Sequence, residues 1–241
     1  MAWKKSLAFF AWQSIRYAQS LDHFKKIWSY YSRWKDSFAP ERNSINDELP
    51  WINYLAIECL EKQIRPEFKV FEYGGGGSTL FFSKNVAEVA TVEDNQDWFK
   101  TLNDIVASKN IKHWKGFFIQ PEPVSNGQER SYTNPNDYKS RMKEHAGSSF
   151  EKYAKTIQQF PTEYFDLVLV DGRARPSCIQ QSLPYLKHGG LLVVDNTERS
   201  YYLEPFTEIL KSEFDVLEDR MAPVSYTPDF TRTSIFRRRV K

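Results

Sequence analysis

Four consecutive glycines, Gly74, Gly75, Gly76 and Gly77, separate an apolar run ending in Glu72-Tyr73 from the pair Ser78-Thr79. Glycine reaches positive φ at no steric cost and lets a ligand or a second stretch of backbone come close. Between a strand and a helix, such a turn presents bare N–H groups and the positive end of a helix dipole to the space above it. A nucleotide or a carboxylate-bearing molecule suits that environment. Chemically capable residues recur at the ends of later apolar runs: Glu93-Asp94-Asn95, then Gln120 and Glu122, then Asp171-Gly172-Arg173-Ala174-Arg175, then Asp195-Asn196. Carboxylates at such places can accept from a sugar diol or take a proton, and guanidinium groups suit a carboxylate, a phosphate or a sugar oxygen. Either Arg173 or Arg175 is also placed to pair with Asp171.

The elements that must hold these residues follow from periodicity. A helical pattern over 51–64 stops before Pro66, and a first strand begins at 68–71. A helix over 79–85, a strand over 86–92, a helix carrying Trp98, Leu102, Ile105 and Val106, and a short strand over 117–120 come next. A helix over 150–160, a buried strand Phe165–Val170, a helix over 176–186 stopped by Gly189-Gly190, a strand over 191–194 and a helix over 202–214 complete the alternation. Segments 216–220 and 233–237 read as a closing antiparallel pair. Strands alternating with helices, two of them continuously apolar, predict an α/β fold. Its sheet is doubly wound, mainly parallel, of about seven strands, with a C-terminal antiparallel hairpin. Ligands of such sheets bind beyond the carboxyl ends of the strands, where the glycines and acids collect. Residues 126–147 are polar, aperiodic and rich in turn formers, which reads as a lid. His145 within it is either a base or a surface histidine.

At 241 residues the chain accommodates one such domain, 51–241, preceded by an N-terminal helical extension and linker, 1–50. The extension is dense in aromatics, with Trp3, Leu7 and Phe10 at helical spacing and Lys and Arg interleaved. Its apolar face is expected against the domain, against a second copy in a homodimer, or on a membrane surface as a basic amphipathic helix. A formal net charge of +2 with acids and bases interspersed gives no global field for nucleic acid. Arg237-Arg238-Arg239 reads as a solvated tail. Two cysteines, Cys59 and Cys178, are too few for a disulfide framework and are expected to pack as small apolar residues in a reducing compartment. The basic, apolar start lacks a small-x-small cleavage site, and no run approaches the ~20 apolar residues of a membrane span, so a cytoplasmic protein is expected. The four histidines show no metal-ligand spacing.

A dinucleotide fingerprint requires Gly-x-Gly-x-x-Gly, and here Gly74 and Gly76 fit while Thr79 stands at the third glycine. No Lys follows the glycines, which excludes a phosphate loop of the Gly-Lys-Ser/Thr kind. The strings FEYGGGGST, TVEDN, FDLVLVDGRAR and GGLLVVDN, in that order, resemble the class I S-adenosylmethionine-dependent methyltransferases over roughly 51–238. The resemblance implies that Glu72, Tyr73, Gly74, Gly75, Gly76 and Ser78 hold the methionine end of S-adenosylmethionine. It implies that Glu93 takes the ribose hydroxyls and that Asp94 or Asn95 borders the adenine. Asp171 with Asp195-Asn196 also resembles the metal-dependent catechol-type O-methyltransferases, in which Mg²⁺ would hold two acceptor oxygens. The run Gly172-Arg173-Ala174-Arg175 lacks the lysine base of that pattern, so the metal-free reading is favoured. In it Asp171, Arg173, Asp195 and Asn196 serve an acceptor, with Asp171 as the base and Arg173 on the acceptor. The expectation is O-methylation of a small molecule or glycan. The alternatives are an NAD-dependent oxidoreductase on the same sheet, which the missing glycine disfavours, and a non-catalytic interaction module.

Overall fold

The computed structural model describes residues 6–124 and 129–240. Four helices open the chain: α1 (Leu7–Tyr17), α2 (Leu21–Ser29), α3 (Tyr31–Asp36) and α4 (Ser44–Asp47). Each of α1, α2 and α4 begins at a residue whose side chain caps it, Ser6, Ser20 and Asn43. The alternating part then runs α5 (Tyr54–Gln63), β1 (Lys69–Tyr73), α6 (Gly77–Ser83), β2 (Glu88–Glu93), α7 (Gln96–Ser108) and β3 (Trp114–Phe118). A two-stranded ribbon, β4 (Glu122–Pro123) with β5 (Ser148–Ser149), brackets the polar segment. The chain continues through α8 (Glu151–Lys155), β6 (Phe165–Val170), α9 (Arg175–Ser182), β7 (Leu186–Asp195), α10 (Thr207–Glu213), β8 (Phe214–Glu218), β9 (Met221–Ala222) and β10 (Thr231–Arg238).

The main sheet has the order β3-β2-β1-β6-β7-β10-β8, with β9 added to β10, eight strands in all. The five strands from β3 to β7 are parallel, and β10 enters antiparallel between β7 and β8. Strand order reverses between β1 and β6, where crevices open in sheets of this type. Alternate residues of each strand face opposite layers. Val70, Val89, Leu167, Leu169, Leu191 and Val193 point toward α5 and the N-terminal helices. Phe71, Tyr73, Val92, Val168, Val170, Leu192 and Val194 point toward α8 and α9.

The N-terminal helices share the first of these cores. Phe10, Ile27 and Trp34 are fully buried in it with Ile57, Leu60 and Phe230. Gln13 Nε2 donates to Pro228 O at 2.7 Å and its Oε1 accepts from Phe230 N at 2.8 Å, while Trp34 Nε1 donates to Thr227 O at 3.1 Å. Of the three expected placements for this apolar face, its inner side lies against the sheet, and Leu7, Trp12, Ile15 and Leu21 remain exposed on the outer side. Trp3 lies outside the described residues. Among the described residues no helix is long and apolar enough to cross a membrane.

Three local readings need correction. Gly189-Gly190 does not stop a helix: both lie within β7, where the register against β6 shifts between Phe165 and Leu167. The third strand lies earlier than 117–120, because Trp114, Lys115 and Gly116 already pair with Val89, Ala90 and Thr91. The basic C-terminal run is no solvated tail: Arg237 and Arg238 belong to β10, Arg238 Nη1 donates to Leu186 O at 2.8 Å, and Arg239 Nε donates to Asp215 Oδ1 at 2.9 Å.

Candidate active site

The glycine turn is held from below. Glu72 is fully buried at the end of β1, and Ser78 Oγ at 2.6 Å, Thr91 Oγ1 at 2.7 Å and Thr79 Oγ1 all donate to its carboxylate. Burial raises its pKa to about 7 against the pull of those three hydroxyl donors. Tyr73 points the other way, fully buried, its hydroxyl donating to Ala154 O at 2.7 Å. Neither residue reaches the crevice. The expectation that both touch a ligand is therefore corrected: Glu72 ties β1, α6 and β2 together, and Tyr73 belongs to the core.

Each glycine answers a different demand. Gly74 has φ +88°, and a Cβ there would stand 3.0 Å from Gly172 Cα, so the β1 and β6 turns touch through backbone. At Gly75 a Cβ would meet Thr91 and Leu102 side chains, and at Gly77 it would lie 2.1 Å from Ser44 O. Only Gly76 has room on its open side, where Trp98 is the nearest group at 3.5 Å. The fourth glycine of the run thus also seats the α4 segment against the turn.

Above the turn lies a crevice of about 550 Å³. Gly74, Gly75, Gly76, Gly77, Ser78, Glu93, Asp94, Asn95, Asp171 and Arg173 line it. Glu93 is 6% exposed and accepts from the backbone N–H of Gly75 at 3.1 Å and of Asp94 and Asn95 at 3.0 Å each. Burial raises its pKa, and those amides oppose the rise. The crevice walls also include Trp98, whose Nε1 donates to Gly75 O at 2.7 Å, and Ser44 and Trp51 from the N-terminal third. Sequence reasoning missed these three; only the capping offset from Asn95 to Trp98 marked one of them, since Asn95 Oδ1 accepts from Trp98 N at 2.9 Å.

Asp94 Oδ1 lies 3.5 Å from Arg173 Nε, and its Oδ2 lies 3.7 Å from His145 Nε2. His145 is edge-on to Phe150 with ring centroids 5.0 Å apart, so its ring packs between Asp94 and Phe150. The segment that carries it is fastened internally and to α9: Arg130 Nη2 donates to Ser148 O at 2.7 Å, Lys139 Nζ donates to Arg130 O at 2.7 Å, and Gln180 Nε2 of α9 donates to Asn136 Oδ1 at 2.9 Å. Asn126, where the expected lid begins, lies outside the described residues.

Arg175 is the arginine that pairs with Asp171. Its Nη2 donates to Asp171 Oδ1 at 2.8 Å, its Nη1 lies 4.0 Å from Asp195 Oδ2, and it also donates to the carbonyl oxygens of Asp195 and Asp171. Asp195 is 3% exposed and accepts from Thr233 Oγ1 at 2.5 Å. Burial, and next the negative charge of Asp171, push the Asp195 carboxyl pKa upward; burial also raises that of Asp171, which the two arginines oppose. Asp171, Asp195, Asn196, Arg175 and Trp51 border a smaller cavity of about 340 Å³ beside the crevice. Asn196 and Ala174 both sit at left-handed φ, +56° and +44°. Non-glycine residues in that region cost energy and gather where a fold holds a site in shape. Among the described residues no group of three His, Cys, Asp or Glu is arranged to hold a metal ion.

A third cavity, of about 540 Å³, adjoins the crevice along Gly172 and Arg173. Lys139, Arg141, Arg173, Arg175 and Arg199 line it together with Tyr132, Tyr201 and Tyr202.

No protein-family profile and no curated protein matches this sequence. Solved structures do match in fold. An O-methyltransferase from Bacillus cereus in complex with S-adenosylhomocysteine aligns with 12% identity and TM-score 0.55, over 89% of this chain and 90% of that one. SMU.1697c from Streptococcus mutans, also solved with S-adenosylhomocysteine, aligns with 14% identity and TM-score 0.51, over 76% and 96%. TrmN from Thermus thermophilus aligns with 11% identity and TM-score 0.50, over 76% of this chain and 48% of that one. The sheet order, the turn at its switch point and these alignments give one conclusion: the chain has the fold of the class I S-adenosylmethionine-dependent methyltransferases.

Proposed function

We propose that this protein is an S-adenosylmethionine-dependent methyltransferase that acts on a hydroxyl or carboxyl oxygen of a small molecule or glycan. The observation that carries the reading is the meeting of two cavities at Gly172 and Arg173, one over the glycine turn and bordered by Asp171, the other lined by cations and tyrosines. A donor and an acceptor held in them would face each other across that ridge. The donor crevice fits the cofactor on the chain's own terms. Gly76 leaves open space at the turn, Glu93 presents a carboxylate at the end of β2, and Trp98 offers a ring face 37% exposed. Two relatives of the same fold are solved with S-adenosylhomocysteine, which supports the choice of cofactor.

S-Adenosylmethionine, when bound, supplies a methyl group on a positively charged sulfur. The protein's part is then alignment and exclusion of water, and orientation of this kind contributes about 7–11 kcal/mol. In this reading Gly74, Gly75, Gly76 and Ser78 seat the amino-acid end, Glu93 accepts from the ribose diol, and Asp94 flanks the base. Asp171 borders the donor crevice and takes the proton that leaves an acceptor hydroxyl. Burial raises its proton affinity above that of a free carboxylate, against the pull of Arg175 and Arg173. Asp195 and Asn196 shape the floor. Arg175 supplies positive charge between Asp171 and Asp195, where the catechol-type enzymes would have Mg²⁺, so the proposed chemistry is metal-free. Calorimetry with S-adenosylhomocysteine and turnover in the presence of chelator test the two halves of this reading. Micromolar binding and chelator-insensitive methyl transfer are expected; absence of binding overturns the cofactor assignment, and loss of activity in chelator restored by Mg²⁺ overturns the metal-free one.

A further inference from the structure

The cavity beyond Arg173 has an unusual charge balance for a chain whose formal net charge is only +2. Five cationic side chains line it and no carboxylate does. Two are neutralised nearby, Arg175 by Asp171 at 2.8 Å and Arg173 by Asp94 at 3.5 Å. Arg199 reaches only Glu198, at 4.0 Å, and its Nη1 donates to Tyr202 OH at 3.0 Å. Lys139 donates to the backbone carbonyl of Arg130 at 2.7 Å, Arg141 lies beside the Tyr201 hydroxyl, and among the described residues neither forms an ion pair with a carboxylate within 4.0 Å. The charge without a partner thus sits on the side away from the donor crevice.

Two further observations point the same way. Helix α9 opens into this cavity at Ala174, Arg175 and Pro176, and no side chain caps it, so its first-turn N–H groups and dipole add positive potential. Ala174 holds the left-handed φ that gives the helix this start. Opposite, Tyr132, Tyr201 and Tyr202 form a contiguous wall, with ring centroids 5.1 Å and 4.7 Å apart in successive pairs.

We infer that the acceptor is an anionic small molecule whose phosphate or carboxylate group binds Arg199, Arg141 and Lys139, at a position distinct from the oxygen that is methylated beside Asp171. The inference rests on the methyltransferase reading for the second half of that statement, and on the cavity alone for the first. A cationic acceptor would be repelled from this cavity. A nucleic-acid strand would instead need cations in a stripe along the surface, whereas here they converge on one space of a size that suits a single small ligand. The tyrosine wall suits the face of a sugar or an aromatic ring.

The test is calorimetric titration of the full chain with glucose 1-phosphate, glucuronate, methyl glucoside, inorganic phosphate and a short RNA oligonucleotide, each with and without saturating S-adenosylhomocysteine. At least one of the three small anionic probes is expected to bind while methyl glucoside does not, and the phosphate and carboxylate probes distinguish the two sources of charge. The double variant Arg141→Ala/Arg199→Ala is expected to lower that affinity about tenfold or more and to leave S-adenosylhomocysteine affinity unchanged, because both arginines lie outside the donor crevice. Failure of every anionic probe, equal binding of methyl glucoside, tighter binding of the RNA, or an unchanged affinity in the double variant overturns the inference. Anion binding without S-adenosylhomocysteine binding would leave the anion site standing and sink the methyltransferase reading, so the two failures are distinguishable.

Discussion

Glu72 and Glu93 show how far two carboxylates at similar places can differ in task. Both end strands beneath the same crevice, yet Glu72 receives three hydroxyl donors in full burial and Glu93 receives three backbone amides at the crevice wall. For Glu72 the folded pKa of about 7 lies above the ordinary 4.5, so ionising it in the folded state costs about 3 kcal/mol. An acid whose pKa is raised on folding favours the folded state below its unfolded pKa, and that advantage is lost as pH rises toward the folded value. Relative to Glu72→Gln, the wild type is therefore expected to lose about 3 kcal/mol between roughly pH 4.5 and pH 7 and to run parallel to it above. Urea midpoints for both proteins across that range check this; parallel curves throughout would mean that Glu72 titrates normally. Glu93→Ala removes the acceptor of three N–H groups and the proposed partner of the ribose. With hydrogen bonds to charged groups contributing about 1.5–3 kcal/mol, S-adenosylhomocysteine affinity should fall roughly tenfold to a hundredfold, and calorimetry giving an unchanged constant would remove Glu93 from the site.

At the scale of elements, the alternation of strands with helices and the turn at 74–77 were legible because both rest on local patterns: apolar runs, glycines and the acids that end them. That Asp171, Arg173, Glu93 and Asp94 come to one crevice follows from the same logic, since a parallel sheet delivers every strand end to one edge. What periodicity could not supply was partnership. It left open whether Arg173 or Arg175 pairs with Asp171, because both follow the same strand and only the left-handed Ala174 decides which guanidinium turns back. Nor could it check the ligand role that the resemblance implies for Glu72, since a strand-end acid reads alike whether its side chain points up into a crevice or down into hydroxyls. The four glycines were read as one ligand loop, and the structure divides them. A Cβ at residue 77 would strike the backbone oxygens of Ser44 and Leu49 at 2.1 and 2.3 Å, so Gly77→Ala must displace α4 or α6. A Cβ at residue 76 meets only Trp98 at ordinary contact distance. Gly77→Ala is thus expected to destabilise the fold by about 1–3 kcal/mol, as overpacking does, whereas Gly76→Ala should change stability little and weaken cofactor affinity by intruding on the crevice. Thermal melts and calorimetry on the pair separate the two, and equal destabilisation by both would contradict the division.

For the whole molecule, the question is whether the helical N-terminal third is an attachment or part of the fold. Its sequence read as an extension packed on the domain, on a second copy or on a membrane, because aromatics at helical spacing say that a face is buried without saying against what. The structure places Phe10, Ile27 and Trp34 in one core with α5 and the β1, β6 and β7 strands. Gln13, Trp34 and Ser37 hold the backbone of the 226–230 loop through Phe230 N, Pro228 O, Thr227 O and Tyr226 N. That loop in turn binds the entry to the crevice: Tyr226 OH donates to Asp47 at 2.6 Å, and Trp51 Nε1 donates to Ser225 O at 2.8 Å. The wall formed by Ser44 and Trp51 therefore depends on residues that touch no ligand. Trp34→Ala is expected to cost about 3–5 kcal/mol, the usual loss for a buried large aromatic, and to weaken cofactor binding through the loop. Because the core is shared, urea unfolding followed by tryptophan fluorescence, much of it from Trp12, Trp28 and Trp34, should coincide with unfolding followed by far-ultraviolet circular dichroism. A separate, earlier fluorescence transition, or a Trp34→Ala variant with unchanged midpoint, would show that the N-terminal helices are a detachable unit and that the crevice stands without them.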